Sequence, residues 1–376
     1  MKRILEIVLN AEGTVGGEQR HVLQILDGLD RERIAPEVVT WDVPAFAEEL
    51  SSRDVPTLCV SAKRILDWPL LRRVEARIKQ ERFDLVHAHG HRAGLLGRVA
   101  AIRARAPHIV WTCHLAENKA DKNPMVRWGY RRVLRYLDAR TDVTIAVSSF
   151  LRDWLVEQGI DGSRIVVIPN GVDCEVFKPR ARDAGLLAEL GLDPGAPIVG
   201  TVARLTEQKG VETLVDAAAR IERDTPDVQF VIVGTGPLEA VIRARASELS
   251  SRVVFLGERG DVPELLALFD VAVVPSLWEG AFCYTMLEAM AARRPVVCSD
   301  ISLFTDVVVN GREALVYPAG DSDGLAGAIV ELLENPDIGN RLAEAGMRLA
   351  RERFSVEHSR NATIEIYERL LGEERS

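Results

Sequence analysis

Residues 271–299 read VAVVPSLWEGAFCYTMLEAMAARRPVVCS. The β-branched run VAVV ends at Pro275, small and polar residues follow, and Gly280 permits an exposed turn. A helix is predicted to begin near Phe282 or Cys283, and a second apolar run, RPVVCS, closes the stretch. Strand, helix, strand at this spacing is a unit of parallel sheet covered by a helix. Two glutamates stand in a segment otherwise composed for burial: Glu279 in the turn and Glu288 about one and a half turns into the helix. An ionised carboxylate accepts both hydroxyl donors of a vicinal diol, a physical reason to aim one into a cleft.

The same alternation extends through the chain. The first half carries RILEIVL, PEVVTWDV, FDLVHAH, HIVWTCH, VTIAVS and RIVVIPN, with amphipathic segments between them. After IPNGVDCEVFKP, residues 168–179, a polar stretch rich in turn residues runs to about Pro197. The pattern then restarts with IVGTVAR, VQFVIVG, RVVFLG, VAVVPS, RPVVCS and ALVYP. A single core stops growing near roughly 250–300 residues, and this chain has 376. The expected fold is therefore α/β, with two doubly wound, Rossmann-like domains facing across a cleft. Their expected bounds are 1–178 and 179–355, and residues 356–376 form a last helix. Its apolar positions Ile364, Ile366, Tyr367, Leu370 and Leu371 suit packing back on the first domain. The turn Pro169-Asn170-Gly171 is the expected hinge. Open α/β sheets bind ligands beyond the carboxyl ends of their strands, so the chemistry belongs there.

Composition narrows the class. No run approaches the roughly 20 apolar residues of a membrane span, and Glu6 interrupts the apolar start, which no cleavage site follows. Any membrane contact is expected to be peripheral. The five cysteines are scattered, odd in number and without a CxxC pair, which speaks against a disulfide framework and for a reducing, cytoplasmic setting. Net charge is −9 but uneven: residues 1–180 hold 28 basic against 24 acidic side chains, and the remainder 19 against 32. The first half is thus the one expected to meet an anionic surface.

Several strand ends carry candidate chemistry. NAEGTVGGEQRHV sets Gly13, Gly16 and Gly17 before a helix, a seat for a phosphate or simply a tight turn. Arg204 and Lys209, five residues apart after IVGTVA, suit a diphosphate, because Arg binds two oxygens and Lys is a mobile point charge. Solvated loop charges are the plain alternative. Gly234 and Gly236 in VGTGP allow close backbone approach, and GERGD brings Arg259 and Gly260 to another strand end. His87, His89 and His91 alternate, so a strand would set all three on one face, compatible with a metal but equally with satisfied histidines. His21 and His114 read either as site residues or as core histidines. In MVRWGYRRVLRYLDAR, Val126, Tyr130, Val133, Leu134 and Leu137 form one helical face and Arg127, Arg131 and Arg135 the opposite one. Beside Trp128, that stripe suits anionic lipid or a lipid-linked phosphate, or is a solvated face.

Taken in order, Gly16-Gly17 with His21, HAHG, WTCH, IPNGVD, the Arg204 and Lys209 pair, VGTGP, PS…EG…LEAMA and FSVE make the chain resemble a retaining glycosyltransferase of the GT-B fold, glycosyltransferase family four. The resemblance implies a first domain for the acceptor and a second for a nucleotide sugar, UDP-linked by preference. It implies that Arg204 and Lys209 bind the donor diphosphate, with a backbone N–H from Gly16 and Gly17. Glu288 would hold the ribose and Glu279 the donor sugar. His114 would meet the sugar near the reacting carbon, Ala281, Phe282 and Cys283 its hydroxyls, and Arg259 and Gly260 the base, with Gly234 also on the donor side. His21, His89 and Asn170 are acceptor-side candidates. The family usually places seven residues between the two glutamates, whereas eight separate Glu279 from Glu288, and GAFCY stands where GFG or GxP is typical. Donor identity depends on hydrogen bonds at that loop more than the reaction class does. No cofactor is implied and no metal is required, since Arg204, Lys209 and backbone amides can stabilise the leaving diphosphate. A nucleotide-sugar epimerase or hydrolase, a catalytically silent GT-B protein that binds a nucleotide sugar or scaffolds a partner, and a metal hydrolase built on HAHGH are the competing readings.

Overall fold

A computed structural model describes residues 1–9, 16–60, 67–116, 124–225, 227–249, 252–279 and 283–372. The chain divides into two compact units, residues 1–171 with 357–376, and residues 172–279 with 283–356.

Thirteen strands occur among the described residues: β1 Lys2–Val8, β2 Ile34–Trp41, β3 Thr57–Val60, β4 Leu85–His89, β5 His108–Cys113, β6 Val143–Ala146, β7 Ile165–Val167, β8 Ile198–Val202, β9 Gln229–Val233, β10 Val253–Gly257, β11 Val271–Val274, β12 Val296–Ser299 and β13 Leu315–Tyr317. Between them lie α1 Gly17–Gly28, α2 Pro44–Ser51, α3 Trp68–Glu81, α4 Gly90–Ala104, α5 Pro124–Asp138, α6 Ser149–Glu157, α7 Ala184–Glu189, α8 Val211–Asp224, α9 Glu239–Ala246, α10 Val262–Leu268, α11 Tyr284–Ala291, α12 Ser302–Thr305, α13 Ser322–Glu334, α14 Pro336–Arg353 and α15 Val356–Gly372.

The first sheet runs β3-β2-β1-β4-β5-β6-β7 and the second β10-β9-β8-β11-β12-β13. Every neighbouring pair in both is parallel. The central strands are buried along their length, as a sheet covered on both faces requires: every residue of β4, β5, β6, β9, β11 and β12 is buried. That explains why runs such as VAVV and HIVW are continuous rather than alternating.

The two chain crossings into the second unit lie side by side. Val172 donates to the Phe354 carbonyl at 2.8 Å and accepts from Val356 N–H at 3.0 Å. Beyond that point α15 joins the first unit, where Ile366, Tyr367 and Leu370 are buried in its core. No helix among the described residues is long and apolar enough to cross a membrane.

Two sequence expectations need correction. His91 does not share a strand face with His87 and His89, because β4 ends at His89 and Gly90, at φ +72°, turns the chain into α4. His91 stands in the first turn of that helix, stacked on Tyr130 with ring centroids 5.5 Å apart. On α5, Leu134 and Leu137 are buried, but Val133 is exposed and does not belong to the buried face; Val126 lies outside the residues whose side chains are described. The short strand β3 was not anticipated at all.

Candidate active site

Strand order reverses in the first sheet between β1 and β4 and in the second between β8 and β11. These are the switch points at which loops leave in opposite directions and open a crevice. Several candidate residues follow the carboxyl ends of these four strands, and the others follow β5, β7, β9 and β10.

In the second unit, Arg204 follows β8 in an exposed loop, and a single 3-10 turn, Glu207–Lys209, carries Lys209. Gly210 ends that turn at φ +58° and starts α8; a side chain there would strike the Pro275 carbonyl, so the loops after β8 and β11 approach as closely as backbones can. Leu277 N–H donates to the Gln208 carbonyl at 2.8 Å, fastening one loop to the other. Across this seam Lys209 Nζ donates to Glu279 Oε1 in a charge-assisted bond. The Glu279 carboxylate also accepts from Ser276 Oγ and from Gln208 Nε2, each at 2.8 Å. Cys283 caps α11, and Thr285 Oγ1 donates to the Val202 carbonyl at 3.1 Å, drawing the start of that helix against β8. Glu288 sits three residues beyond Thr285, buried.

The neighbouring strand ends complete this side. Gly234 ends β9 at φ +120°, a conformation that only glycine adopts without strain, and its missing side chain makes room for the Ala203 carbonyl. Arg259 forms a two-bond pair with Asp261, at 2.8 and 2.6 Å. Asp261 raises the guanidinium pKa and has its own carboxyl pKa lowered by the same contact. Gly260 beside it is exposed, with open space where a side chain would begin. Burial pushes the Cys283 thiol up to about 11, so it is no thiolate nucleophile. Ala281 and Phe282 lie outside the described residues. A cavity of about 350 Å³ lined by Pro197, Asp270 and Arg294 opens at the amino ends of β8, β11 and β12, away from these groups.

In the first unit, Gly16 caps α1 and its N–H donates to Gln19 Oε1 at 2.7 Å, while Gly17 opens the helix on the exposed side. Gly13 lies outside the described residues. Beneath this turn is a buried cluster that strand pairing assembles: Glu6 on β1 is opposite His87, and Val8 opposite His89 on β4. Glu6 Oε2 accepts from His89 Nε2 at 2.7 Å, and Glu6 Oε1 from Tyr367 Oη at 2.8 Å. His87 joins Tyr367 Oη at 2.5 Å through Nδ1 and Thr112 Oγ1 at 2.7 Å through Nε2. His114 follows β5 and places Nε2 3.5 Å from His89 Nδ1. His21 on α1 packs edge-on to both, with ring centroids 5.1 Å from His114 and 5.7 Å from His89.

Burial and the neighbouring histidines hold His21, His87 and His114 neutral. The pKa of His21 is lowered to about 3, first by burial and then by His89, and those of His87 and His114 are also lowered well below the usual value. Both ring nitrogens of His21 and the Oδ1 of Asn170 are buried without a partner, so these two side chains have polar capacity left for a ligand. In donor set alone, His21, His89 and His114 could hold a metal, as could Glu6, His87 and His89. The sequence reading missed Glu6 and Tyr367 here, and Ser276 and Gln208 in the second unit. The signal for Glu6 was available, since an acid in the middle of an apolar strand must find a buried partner.

Residues 15–176 match the family described as Glycosyltransferase Family 4, and residues 196–335 match Glycosyl transferases group 1. The chain belongs to glycosyltransferase family four. It is 32% identical over 332 residues to the UDP-Gal:alpha-D-GlcNAc-diphosphoundecaprenol alpha-1,3-galactosyltransferase of Escherichia coli, spanning 85% of this chain and 86% of that one. It is 31% identical over 368 residues to the phosphatidyl-myo-inositol mannosyltransferase of Mycolicibacterium smegmatis, spanning 95% and 91%. In fold it is similar to Anabaena HepE, solved in complex with UDP, with a TM-score of 0.85 at 24% identity over 98% of this chain and 100% of that one. Sucrose-phosphate synthase of Thermosynechococcus elongatus aligns with a TM-score of 0.79 at 22% identity, over 99% and 100%. The fold is GT-B, and the protein is a glycosyltransferase.

Proposed function

We propose that this glycosyltransferase moves a hexose or N-acetylhexosamine from a UDP-sugar, with retention of configuration and without a metal, to a lipid-linked or other cell-envelope acceptor. The observation that carries this reading is the seam between the loops after β8 and β11, which sets Lys209 against Glu279, with Arg204 five residues before Lys209 and the buried Glu288 nine after Glu279. Lys209 has three N–H donors and can hold Glu279 and a phosphate oxygen at once. With Arg204 it supplies fixed positive charge where the leaving diphosphate becomes more negative, the work a metal does elsewhere. Glu288 takes the ribose hydroxyls and Glu279 a sugar hydroxyl. Arg259, Gly260 and Gly234 line the nucleotide, and Ala281, Phe282 and Cys283 offer backbone groups to the sugar. The first unit serves the acceptor, through His21, His89 and Asn170, and directs His114 to the reacting sugar, with Gly16 and Gly17 offering amides to the diphosphate. The E. coli and M. smegmatis relatives are named for lipid-linked acceptors. That accords with the exposed Met125, Trp128 and Tyr136 of α5 among Arg127, Arg131 and Arg135.

Thermal unfolding with UDP, GDP and ADP tests the donor. Ligand at a hundred times its Kd stabilises by about 2.7 kcal/mol. UDP should raise Tm in the native chain and fail to do so in Glu288→Ala and in Arg204→Ala with Lys209→Ala. Equal shifts with all three nucleotides, or none, would overturn the assignment. Anomeric NMR of the product decides retention, and turnover undiminished by EDTA decides metal independence.

A further inference from the structure

The buried cluster in the first unit has one charged acceptor, and its hydrogen bonds can be solved for proton positions. Glu6 as a carboxylate only accepts. Tyr367 Oη is 2.8 Å from Oε1 and must donate there, so its oxygen accepts from His87 Nδ1–H at 2.5 Å. That leaves His87 Nε2 as a lone pair, which Thr112 Oγ1 fills by donating at 2.7 Å. On the other side, His89 must carry its proton on Nε2 to donate to Glu6 Oε2 at 2.7 Å. His89 Nδ1 is then a lone pair, and the group facing it is His114 Nε2 at 3.5 Å. A neutral His114 satisfies that lone pair only as the Nε2–H tautomer, which leaves its Nδ1 an acceptor. Each of the three rings carries one proton in this scheme, burial holds His87 and His114 in that neutral form, and no bond in it is unmatched.

We infer that Glu6 is a positioning residue: through His89 it fixes His114 as the tautomer whose Nδ1 accepts a hydrogen bond from a sugar hydroxyl. Tyr367 holds the carboxylate's other oxygen and orders His87. The inference rests on the proposed role of His114 and adds what sets its direction: a donor sugar is required to present a hydroxyl, not an acceptor, to this ring. A carboxylate that orients one imidazole through its far nitrogen is the arrangement found behind metal-bound and catalytic histidines, where its loss typically costs about 10- to 100-fold. Here the oriented imidazole passes the constraint to a second. The titratable groups packed about these rings are Glu6, His21, His87 and Tyr367, with the Glu18 carboxylate beside Gly90.

The test is long-range proton–nitrogen NMR of the full chain labelled with nitrogen-15 in histidine, at pH 7.5. Expected are a protonated Nε2 and a bare Nδ1 on His89 and His114, and the opposite pattern on His87. In Glu6→Gln, which keeps the shape and removes the obligate acceptor, His89 and His114 should lose their single tautomer. In Tyr367→Phe, which spares the His89 contact, only His87 should change. A wild-type His114 protonated on Nδ1, or one unchanged in a folded Glu6→Gln, overturns the relay. Should Glu6→Gln fail to fold, the wild-type and Tyr367→Phe spectra still decide. Turnover separates this from the reading beneath it: with UDP-galactose and UDP-glucose as donors, Glu6→Gln should lower kcat about 10- to 100-fold with KM within about twofold. If instead His114→Ala releases UDP at the native rate, the role of His114 falls, and the relay's service to the reaction falls with it, whatever the tautomers.

Discussion

Lys209 and Glu279 offer a test in which the order of the effects matters more than their size. The Glu279 side chain is 4% exposed and that of Lys209 19%. Removing one partner of a buried pair typically costs about 3–5 kcal/mol, because the other charge stays behind unpaired. In Lys209→Met the orphan is the deeply buried carboxylate, which keeps its donors Ser276 and Gln208. Those two bonds place the expected loss at the lower end, about 3 kcal/mol. In Glu279→Gln the orphan is the ammonium on a flexible stem that already reaches solvent, and the loss should be about 1 kcal/mol. The double variant leaves no buried charge and should cost about 2 kcal/mol, so the coupling is about 2 kcal/mol in favour of the pair. Urea unfolding of all four chains at pH 7.5 gives these numbers. Additivity within about 0.5 kcal/mol, or a greater loss in Glu279→Gln than in Lys209→Met, would refute the idea that the carboxylate is the charge the fold cannot leave alone.

Three further outcomes are expected. His21, with its pKa lowered to about 3, and His87 and His114, also lowered, stay neutral in the folded chain while their unfolded counterparts protonate below about pH 6.5. Their stabilisation is therefore complete above that pH and lost as pH falls toward the folded values, at up to about 1.4 kcal/mol per pH unit for each. Urea midpoints at pH 7.5, 6.0 and 5.0 check this, and His21→Asn should flatten the slope by about a third. Gly234→Ala forces a side chain onto φ +120° and into the Ala203 carbonyl, so a loss of about 3 kcal/mol is expected; a change under about 1 kcal/mol would count against the close backbone approach. Replacing Arg127, Arg131 and Arg135 together by Ala should weaken binding to phosphatidylglycerol vesicles about a hundredfold, at about 1 kcal/mol for each arginine, and leave the weak binding to neutral vesicles unaltered.

The strands were legible because each central one is a run of apolar, β-branched residues bounded by turn signals, and the order of motifs then pointed to the family and its GT-B fold. What was not legible is what long-range packing creates. Glu6 and Tyr367 are 361 positions apart and meet only because α15 packs on the first unit. β3 is the four-residue edge strand TLCV, with too few residues to show a period. His91 was misplaced because alternation in HAHGH looks like a strand until Gly90 is known to turn the chain at φ +72°. On α5, spacing named the apolar face but not its edge: Arg131 leans on Gln158 at 3.2 Å, while Val133 stays outside.

The charge balance bears on the proposed donor site in a different way. The excess of acid in the second half argues against an anionic ligand there, yet the proposed diphosphate site belongs to that half. Screening resolves the conflict, because at physiological salt exposed charges beyond about 8 Å count for little. Scattered surface acids therefore set solubility and leave the field at the β8 and β11 loops to the groups placed there, Arg204 and Lys209 with Glu279 and Glu288. The two switch points then divide the electrostatic work. In the proposed site, the second unit would answer a charged ligand with the Lys209–Glu279 ion pair, which the ligand can share. The first, on the inference drawn above, would use one buried carboxylate to set the tautomers of the imidazoles around it, which select hydroxyl groups by the direction of a lone pair rather than by charge.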